Sequence, residues 1–142
     1  MKVFIAIFAF LVVYQASMQT PKTESATKQT ITVTVPNVTS DKGTVNYALF
    51  TKEGFMVKPV QTQLSTVKGK KSTVIFTDVA SGEYAITCFH DANSNKKMDF
   101  EANGMPLEDY GISNNPISYG PPEYDTAKFV VADKNVTLEI RF

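Results

Sequence analysis

The sequence has a single cysteine, a single histidine and no net charge, and each shortage removes a class of protein. One thiol, Cys88, cannot form a disulfide within the chain, and its place in an apolar segment is typical of a small buried hydrophobe. The 14 basic and 14 acidic residues form no basic stripe that would bind a nucleic acid. With His90 alone and no second cysteine, a zinc site would lack the three or four ligands it needs.

The sequence also lacks an apolar run long enough to cross a bilayer. The run Val3–Tyr14 has 12 residues, whereas ~30 Å of hydrocarbon requires about 20. Lys2 precedes the run and small and polar residues follow it, which is the layout of a secretory signal peptide. The alternative, a retained membrane anchor, fits this length less well, and no cysteine follows for a lipid anchor. We predict a signal peptide over 1–18, cut between Ala16 and Thr20, and a secreted or periplasmic protein without a membrane span after cleavage.

The next segment, 19–29, consists mainly of Thr, Ser, Lys and Gln residues without a large apolar side chain. Such a segment cannot bury enough surface to offset the entropy lost on ordering, so we predict a flexible leader. The remaining residues, 30–142, have a common size for a β-sandwich. A domain of this size buries roughly two-thirds of its unfolded surface and needs no disulfide or metal to fold.

Strand signals dominate residues 30–142, and no window has a convincing helical period. Glu83–His90 is apolar on both faces, which is typical of a central strand. Turn residues separate the strand segments every 8–12 residues, which indicates a β-sandwich or barrel. We predict an all-β, seven-stranded antiparallel β-sandwich of immunoglobulin-like type, in which the first two strands form a hairpin. The predicted strands are Ile31–Val35, Thr44–Phe50, Phe55–Gln63, Ser72–Phe76, Glu83–His90, Thr126–Ala132 and Val136–Phe142. The predicted core residues are Tyr84, Ile86, Leu138 and Ile140.

One segment, Asp91–Glu123, interrupts this spacing with 33 residues of little strand pattern and four of the seven prolines. Loops this long in a compact domain are usually functional or disordered. Aromatic and apolar residues such as Phe100, Leu107 and Tyr110 argue against disorder. We therefore predict an ordered loop excursion that packs on one end of the sandwich.

The excursion begins with an Asx-rich segment, D-x-N-x-N-x-x-x-D, over Asp91–Asp99. Oxygen side chains at alternate positions can point into a curved loop, and Ca²⁺ takes six to eight oxygen ligands. The predicted calcium ligands are Asp91, Asn93, Asn95, the carbonyl of Lys97, Asp99, and Glu101 or Glu108. Lys96 replaces the glycine and Ala102 the glutamate of an EF-hand loop, so the predicted binding is weak. The alternative is that these side chains only cap turns.

Several residues around this loop are candidates for catalysis or ligand binding. A lone histidine at a strand end, here His90, is more often packed than functional. A hydrolase would need a serine beside it, and Ser113 and Ser118 lie in the right region without a G-x-S-x-G signature. Aromatic faces with nearby Asn side chains suit a sugar or a peptide, unless the tyrosines only cover the sandwich. The ligand-binding candidates are His90, Tyr110, Ser113, Asn114 and Tyr119.

These motifs together resemble a known bacterial family. They are Gly82-Glu83-Tyr84, the F-H-D-x-N-x-N-x-x-x-D segment Phe89–Asp99, the G-x-P-x-E-x-Y-G-x-S-N segment Gly104–Asn114, and Gly120-Pro121-Pro122. Over nearly all of the mature chain they resemble the secreted family catalogued as domain of unknown function 2141. The V-x-x-G-x-Y pattern that begins at Val79 also resembles transthyretin-like and carboxypeptidase-regulatory-like β-sandwiches. The resemblance implies an exported bacterial protein without an established activity and, by analogy, a binding or accessory role.

We therefore expect an exported, non-enzymatic binding or accessory domain of the bacterial envelope with a weak calcium-binding loop. Two other classes stay open. A secreted hydrolase would place Ser113 or Ser118 within hydrogen-bond reach of His90. A structural surface protein would self-associate, whereas a binding module would stay monomeric.

Overall fold

The computed structural model describes residues 27–142, which form an all-β structure with one short helix. The predicted signal peptide and most of the predicted leader lie outside the described residues, and β1 begins at the last leader residue, Gln29. The eight strands are β1 (Gln29–Val35), β2 (Thr44–Phe50), β3 (Gln61–Thr66), β4 (Ser72–Val79), β5 (Gly82–Asp91), β6 (Tyr110–Ile112), β7 (Phe129–Val131) and β8 (Val136–Glu139). A 3₁₀ turn spans Lys52–Gly54, and helix α1 spans Tyr124–Ala127. Among residues 27–142, no helix has the length and apolarity to cross a membrane.

The strands form two sheets. The three-stranded sheet has the order β4-β1-β8, and the larger sheet has the order β3-β2-β5-β6, with β7 also paired to β5. Strand β5 is central, as its two apolar faces predicted, because β2 pairs with one edge while β6 and β7 share the other. The two strands that follow β5 in the chain, β6 and β7, therefore both return to it.

Both sheets contribute to one buried apolar cluster. Alternate residues of β1 and β2 point into it, because successive side chains on a strand point to opposite faces. The predicted core residues Ile86 and Ile140 are fully buried, and Tyr84 and Leu138 are half-buried and pack against the cluster. The predicted burial of Cys88 is also confirmed, and burial raises the pKa of its thiol. The structure thus confirms the predicted core.

The predicted number and pairing of strands are wrong in three respects. There are eight strands, because β6 lies inside the predicted excursion. The strands β1 and β2 do not form a hairpin, since β1 pairs with β4 and β8 while β2 pairs with β3 and β5. The eight-residue connection 36–43 is long enough to cross from one sheet to the other. The pair β1–β8 is parallel, so the domain is not wholly antiparallel. The chain between them supplies the long crossover that a parallel pair requires.

Some predicted strand limits are also wrong. The strand predicted to start at Phe55 begins at Gln61, because the 3₁₀ turn is followed by further turn bonds, including Lys58 N–H to the Gly54 carbonyl at 2.8 Å. The strand predicted over Thr126–Ala132 is helix α1 followed by the shorter β7. The last strand ends at Glu139 rather than at the C-terminus.

Gly111 in β6 allows the chain after β8 to cross the larger sheet at close range. A Cβ at this position would lie 2.5 Å from Ile140 Cγ2 and 2.8 Å from the Arg141 carbonyl oxygen. Asn115 fixes the crossing, because its Nδ2 donates to the Glu139 carbonyl at 2.9 Å and its Oδ1 accepts the Arg141 N–H at 2.8 Å. The excursion therefore joins the two sheets at this edge.

We expect Gly111→Ala to lower the free energy of unfolding by about 3 kcal/mol, because the fully buried Ile140 and the Arg141 backbone have little room to move. Gly120→Ala is the matched control, since no atom of residues 27–142 lies within 4 Å of its added Cβ. Its effect should stay within about 0.5 kcal/mol. Urea unfolding measures both variants. Equal stability of the two would contradict the close crossing.

Candidate functional site

The Asx loop, residues Asp91–Asp99, begins at the last residue of β5 and is curved by its own side chains. Asp91 is only 1% exposed. Its carboxylate accepts the backbone N–H of Asn95 at 3.0 Å and of Lys96 at 2.8 Å. Asn93 Oδ1 also accepts the Asn95 N–H, at 3.1 Å. The loop is thus a series of Asx turns built on one buried carboxylate.

The far end of the Asx loop gathers further oxygen-bearing side chains. Asn93 Nδ2 donates to Asp99 Oδ2 at 2.7 Å, and Asn95 Nδ2 lies 2.9 and 2.8 Å from the two oxygens of Asp99. The Asp99 N–H donates to Glu108 Oε2 at 3.3 Å. Glu108 Oε1 is buried and has no hydrogen-bond partner among the described residues. The structure therefore brings the side chains of Asn93, Asn95 and Asp99 together, and it places the Glu108 carboxylate on the backbone N–H of Asp99.

Two further predicted calcium ligands, Glu101 and Lys97, make other contacts. Glu101 accepts a bond from Asn103 Nδ2 at 3.2 Å within a small hairpin beyond the Asx loop. Lys97 enters the loop through its N–H, which donates to Asn95 Oδ1 at 2.9 Å. Among residues 27–142, no group of three or more His, Cys, Asp or Glu side chains is placed to hold a metal ion. Carboxylates alone would therefore not complete a calcium site, and amide oxygens would have to contribute.

The Asn amides in this cluster can supply oxygen by a small movement. They now direct N–H groups at Asp99, and a half-turn about the last side-chain bond exchanges NH₂ for oxygen. Such a turn breaks the bonds that their oxygens accept from the Asn95 and Lys97 N–H groups, and it would direct two amide oxygens toward the Asp99 carboxylate. Hard cations such as Ca²⁺ prefer this donor chemistry.

The segment Lys42–Gly43 packs against the root of the Asx loop. His90 Nε2 lies 2.7 Å from the Lys42 carbonyl oxygen, so this nitrogen carries the proton and donates it. Gly43 has a φ of +71°, and a Cβ there would lie 2.0 Å from the Asp91 carbonyl oxygen. His90 is only 3% exposed. The histidine therefore has the packed, hydrogen-bonded role, and the glycine permits the close approach of the two backbones.

Ser113 fills the gap between β6 and β7 along the edge of β5. Its N–H donates to the Ile86 carbonyl at 2.9 Å, and its Oγ accepts the Ile86 N–H at 3.0 Å. The same hydroxyl donates to the Ala127 carbonyl at 2.5 Å. Ile86 is four residues from His90, about 13 Å along a strand. The structure therefore does not bring Ser113 and His90 together. Ser118 Oγ accepts the Gly120 N–H at 3.3 Å.

The remaining ligand-binding candidates lie at separate points. Asn114 Nδ2 donates to the carbonyls of Thr126 and Lys128 at 3.2 and 2.8 Å, which ties the excursion to α1. Tyr119 is fully exposed, and Tyr110 is 44% exposed on β6. A small pocket of about 220 Å³ lies beside Tyr110. These tyrosines do not form one aromatic platform.

A second aromatic group covers part of the outer face of the larger sheet. Tyr124 of α1 packs edge-on against Phe55 with ring centroids 5.5 Å apart. These rings, with Ala127, cover Ala85 of β5 in a small separate cluster. Burial raises the pKa of the Tyr124 hydroxyl. This tyrosine therefore covers the sheet.

The other part of that outer face is an open groove of about 610 Å³, which the sequence analysis did not identify. We call it the sheet groove. It is lined by Asn46, Tyr47, Ala48, Thr62, Gln63, Leu64, Thr87, Phe89 and Lys96. The mixed character of the outward-facing residues on β2 and β5 was visible in the sequence. Which part of the face stays open depends on where α1 packs, and the sequence pattern does not reveal that position.

A protein-family model described as "Uncharacterized protein conserved in bacteria (DUF2141)" matches residues 33–139. The chain belongs to this family. The matched range contains the Asx loop, the Lys42–Gly43 segment and Ser113, and it confirms the family resemblance carried by the motifs. No curated protein and no solved structure was found to match the chain.

We expect Ser113→Ala to lower the free energy of unfolding by about 2–4 kcal/mol, because the Ile86 N–H and the Ala127 carbonyl would lose their partner in a buried place. Ser118→Ala removes a hydroxyl that accepts one bond in an exposed loop, and it should cost under about 0.5 kcal/mol. Urea unfolding of both variants measures the difference. A Ser113→Ala protein as stable as the parent would show that the hydroxyl does not bridge β5 and α1.

We also expect Gly43→Ala to destabilise the protein by several kcal/mol more than Gly69→Ala. Both positions have positive φ, +71° and +58°, so both variants carry a similar backbone strain of about 1–2 kcal/mol. Only Gly43 faces a backbone atom, the Asp91 carbonyl, while the added Cβ of Gly69→Ala meets nothing within 4 Å. Thermal unfolding by circular dichroism compares the pair. Equal losses of stability would mean that the Lys42–Gly43 segment shifts to make room for the added Cβ and does not fix the position of the Asx loop.

Proposed function

We propose that this protein is an exported, non-enzymatic binding or accessory module of the bacterial envelope whose Asx loop binds calcium. The observation that carries the calcium proposal is the convergence of Asn93, Asn95, Asp99 and Glu108 in a loop held by a buried aspartate. Export rests on the sequence of the N-terminal segment, which lies outside the described residues.

The fold proposed for this module is a β-sandwich of the transthyretin-like kind. One buried cluster contains side chains from both sheets, as the core of a sandwich does. Gln61 Nε2 of β3 donates to the Thr77 carbonyl of β4 at 2.9 Å, so one pair of sheet edges lies close together. Comparison of an experimental structure with transthyretin-like domains tests this part directly.

The two carboxylates at the far end of the Asx loop, those of Asp99 and Glu108, favour a bound cation. Glu108 Oε2 accepts the Asp99 backbone N–H, and Glu108 Oε1 is buried without a partner in the described part of the chain. A buried unpartnered oxygen is costly, and a cation would give it a partner. The exposed Lys96 and Lys97 on the same loop oppose the ion. The expected affinity is therefore low, with a Kd of about 10⁻⁴–10⁻³ M, as in other extracellular calcium modules.

A binding role is supported over hydrolysis by the positions of the two candidate catalytic residues. The His90 ring bonds to the Lys42 carbonyl, and the Ser113 hydroxyl bonds to the backbone at the other end of the same strand segment. A serine nucleophile requires a base within hydrogen-bond reach. A structural surface protein differs from a binding module in assembly, so sedimentation of the purified protein separates those two classes.

We expect 10 mM CaCl₂ to raise the melting temperature above its value in EDTA. At a Kd of ~10⁻⁴ M, mass action adds about 2.7 kcal/mol to the free energy of unfolding. For a domain of this size, that increment corresponds to a rise of roughly 10 °C. Differential scanning calorimetry in the two buffers measures it.

Two variants locate the effect. Asp99→Ala should remove the calcium-dependent rise, since its carboxylate is at the centre of the cluster. Asp133→Ala, in the turn before β8, should keep it and serves as the matched control. Asp109 is a poorer control because its carboxylate accepts a bond from the Thr39 hydroxyl. An identical melting temperature in EDTA and calcium would leave the Asx loop as a set of turn caps and reject the calcium proposal.

A further inference from the structure

We infer that the sheet groove is the ligand site of this protein and that its ligand is an acidic saccharide, anchored by Lys96. This inference rests on the proposed binding function and names the ligand class. It places the ligand site on the outer face of the larger sheet, whereas the sequence pattern had predicted it at the tyrosines of the excursion.

Strand register places a row of unlike side chains along the groove. Leu64 of β3 pairs with Asn46 of β2, Asn46 pairs with Phe89 of β5, and Phe89 pairs with Tyr110 of β6. Directly opposed residues on neighbouring strands place their side chains on the same face. Tyr110 lies beside the smaller pocket, so within the groove the row presents an aliphatic group, an amide and one aromatic ring across three strands. Such a row offers apolar contact and hydrogen bonds to one ligand.

The next row toward α1 adds hydroxyl groups. Thr62 pairs with Ala48, and Ala48 pairs with Thr87. The small Ala48 between two threonines deepens the middle of the groove. Beyond this row the cluster around Tyr124 covers the face, and at the other end Lys96 of the Asx loop lines the groove. The groove is thus bounded by an apolar cluster at one end and by a cationic side chain at the other.

The charge of the groove indicates which class of ligand it can bind. Among the described residues that line it, Lys96 is the one charged side chain and no carboxylate is present. The backbone of Lys96 is held by its N–H bond to Asp91 Oδ2 at 2.8 Å. Asn46 Nδ2, in the middle of the first row, is a buried donor without a hydrogen-bond partner in the described part of the chain. The Lys96 cation favours a ligand with an anionic oxygen, and Asn46 Nδ2 can donate to such a ligand once its side chain rotates toward the groove, because the atom is buried.

A saccharide fits these groups better than an extended peptide does. A peptide strand gains affinity mainly from backbone hydrogen bonds to a free sheet edge. The groove lies on a sheet face, where β2 and β5 are each paired on both sides. The third strand that lines it, β3, is the edge strand, and its free edge faces away from β2 and lies beside β4. Sugar hydroxyls instead pair with threonine and amide side chains, and the apolar face of a sugar ring packs on Phe89 and Leu64. A carboxylate on the sugar pairs with Lys96. The volume of about 610 Å³ lies within the ~300–1,000 Å³ range of small-molecule sites.

The test is calorimetric titration of the purified protein with tetragalacturonic acid and with its methyl ester, which lacks the charge. We expect saturable binding of the acid and weaker binding of the ester. Lys96→Gln should weaken binding of the acid about fivefold, the size of an exposed charge pair, and leave binding of the ester unchanged. Leu64→Ala should weaken binding of both probes.

Matched controls come from surfaces away from the groove. Ile75 on the other sheet is 53% exposed, close to the 51% of Leu64, so Ile75→Ala should bind both probes like the parent. Lys134→Gln, in the turn before β8, should do the same. Absence of saturable binding by tetragalacturonic acid would overturn the inference, as would equal binding of the acid by Lys96→Gln and the parent. Displacement of the acid by a Glu-rich hexapeptide that binds more tightly would assign the groove to peptides instead.

The outcome of the saccharide titration can be distinguished from the outcome of the calcium test. The titration is run in EDTA and in 10 mM CaCl₂, and the melting temperature is measured in both buffers without saccharide. A calcium-dependent rise without saccharide binding would reject the groove inference alone. Saccharide binding without that rise would support the groove inference and reject the calcium proposal alone.

Discussion

The far edge of β5 determines how the rest of the molecule is arranged. Its backbone groups need partners, and two short strands, β6 and β7, share the edge that β2 leaves free. Neither strand reaches Ile86, where the Ser113 hydroxyl and N–H take the place of a strand partner. An unpaired backbone group in this buried place would be costly. The 18 residues between β5 and β6 are therefore a loop with both ends tied to the same strand.

This arrangement connects the Asx loop to the sheet groove. The loop starts where β5 ends, and the buried carboxylate of Asp91 fixes the backbone of Asn95 and Lys96. Lys96 then lines the groove, whose floor includes Phe89, two residues before the loop. A conformational change in the Asx loop can therefore be transmitted to the groove through a few covalent bonds and two hydrogen bonds. No large movement of the sheets is needed for such a connection.

The sequence predicted the features that depend on local alternation and missed those that depend on tertiary packing. The pattern of Glu83–His90 identified the central strand, and four core residues were placed correctly. The three residues of β6 lie among turn formers, so their strand conformation comes from pairing with β5 and not from propensity. The connection 36–43 contains turn chemistry, but turn chemistry alone does not determine whether the next strand pairs back or crosses to the other sheet. The Asx pattern correctly indicated a curved loop, whereas the return of Glu108 to Asp99 is a contact across nine residues that no local pattern shows.

The position of each Asx residue determines whether a change affects folding or the proposed calcium binding. Asp91 is buried and bonded to two backbone N–H groups, and Gly43 packs against its carbonyl, so changes at the root act on stability. Asp99 and Glu108 are half-buried, and their carboxylates meet side chains and one N–H at the far end of the loop. Substitution of Asp99 or Glu108 therefore removes contacts within this cluster and leaves the hydrogen bonds between strands in place. Lys96 lies between these two zones, since its N–H belongs to the root while its side chain lines the groove. The backbone of this region can therefore stay constant while the side chains at its far end vary.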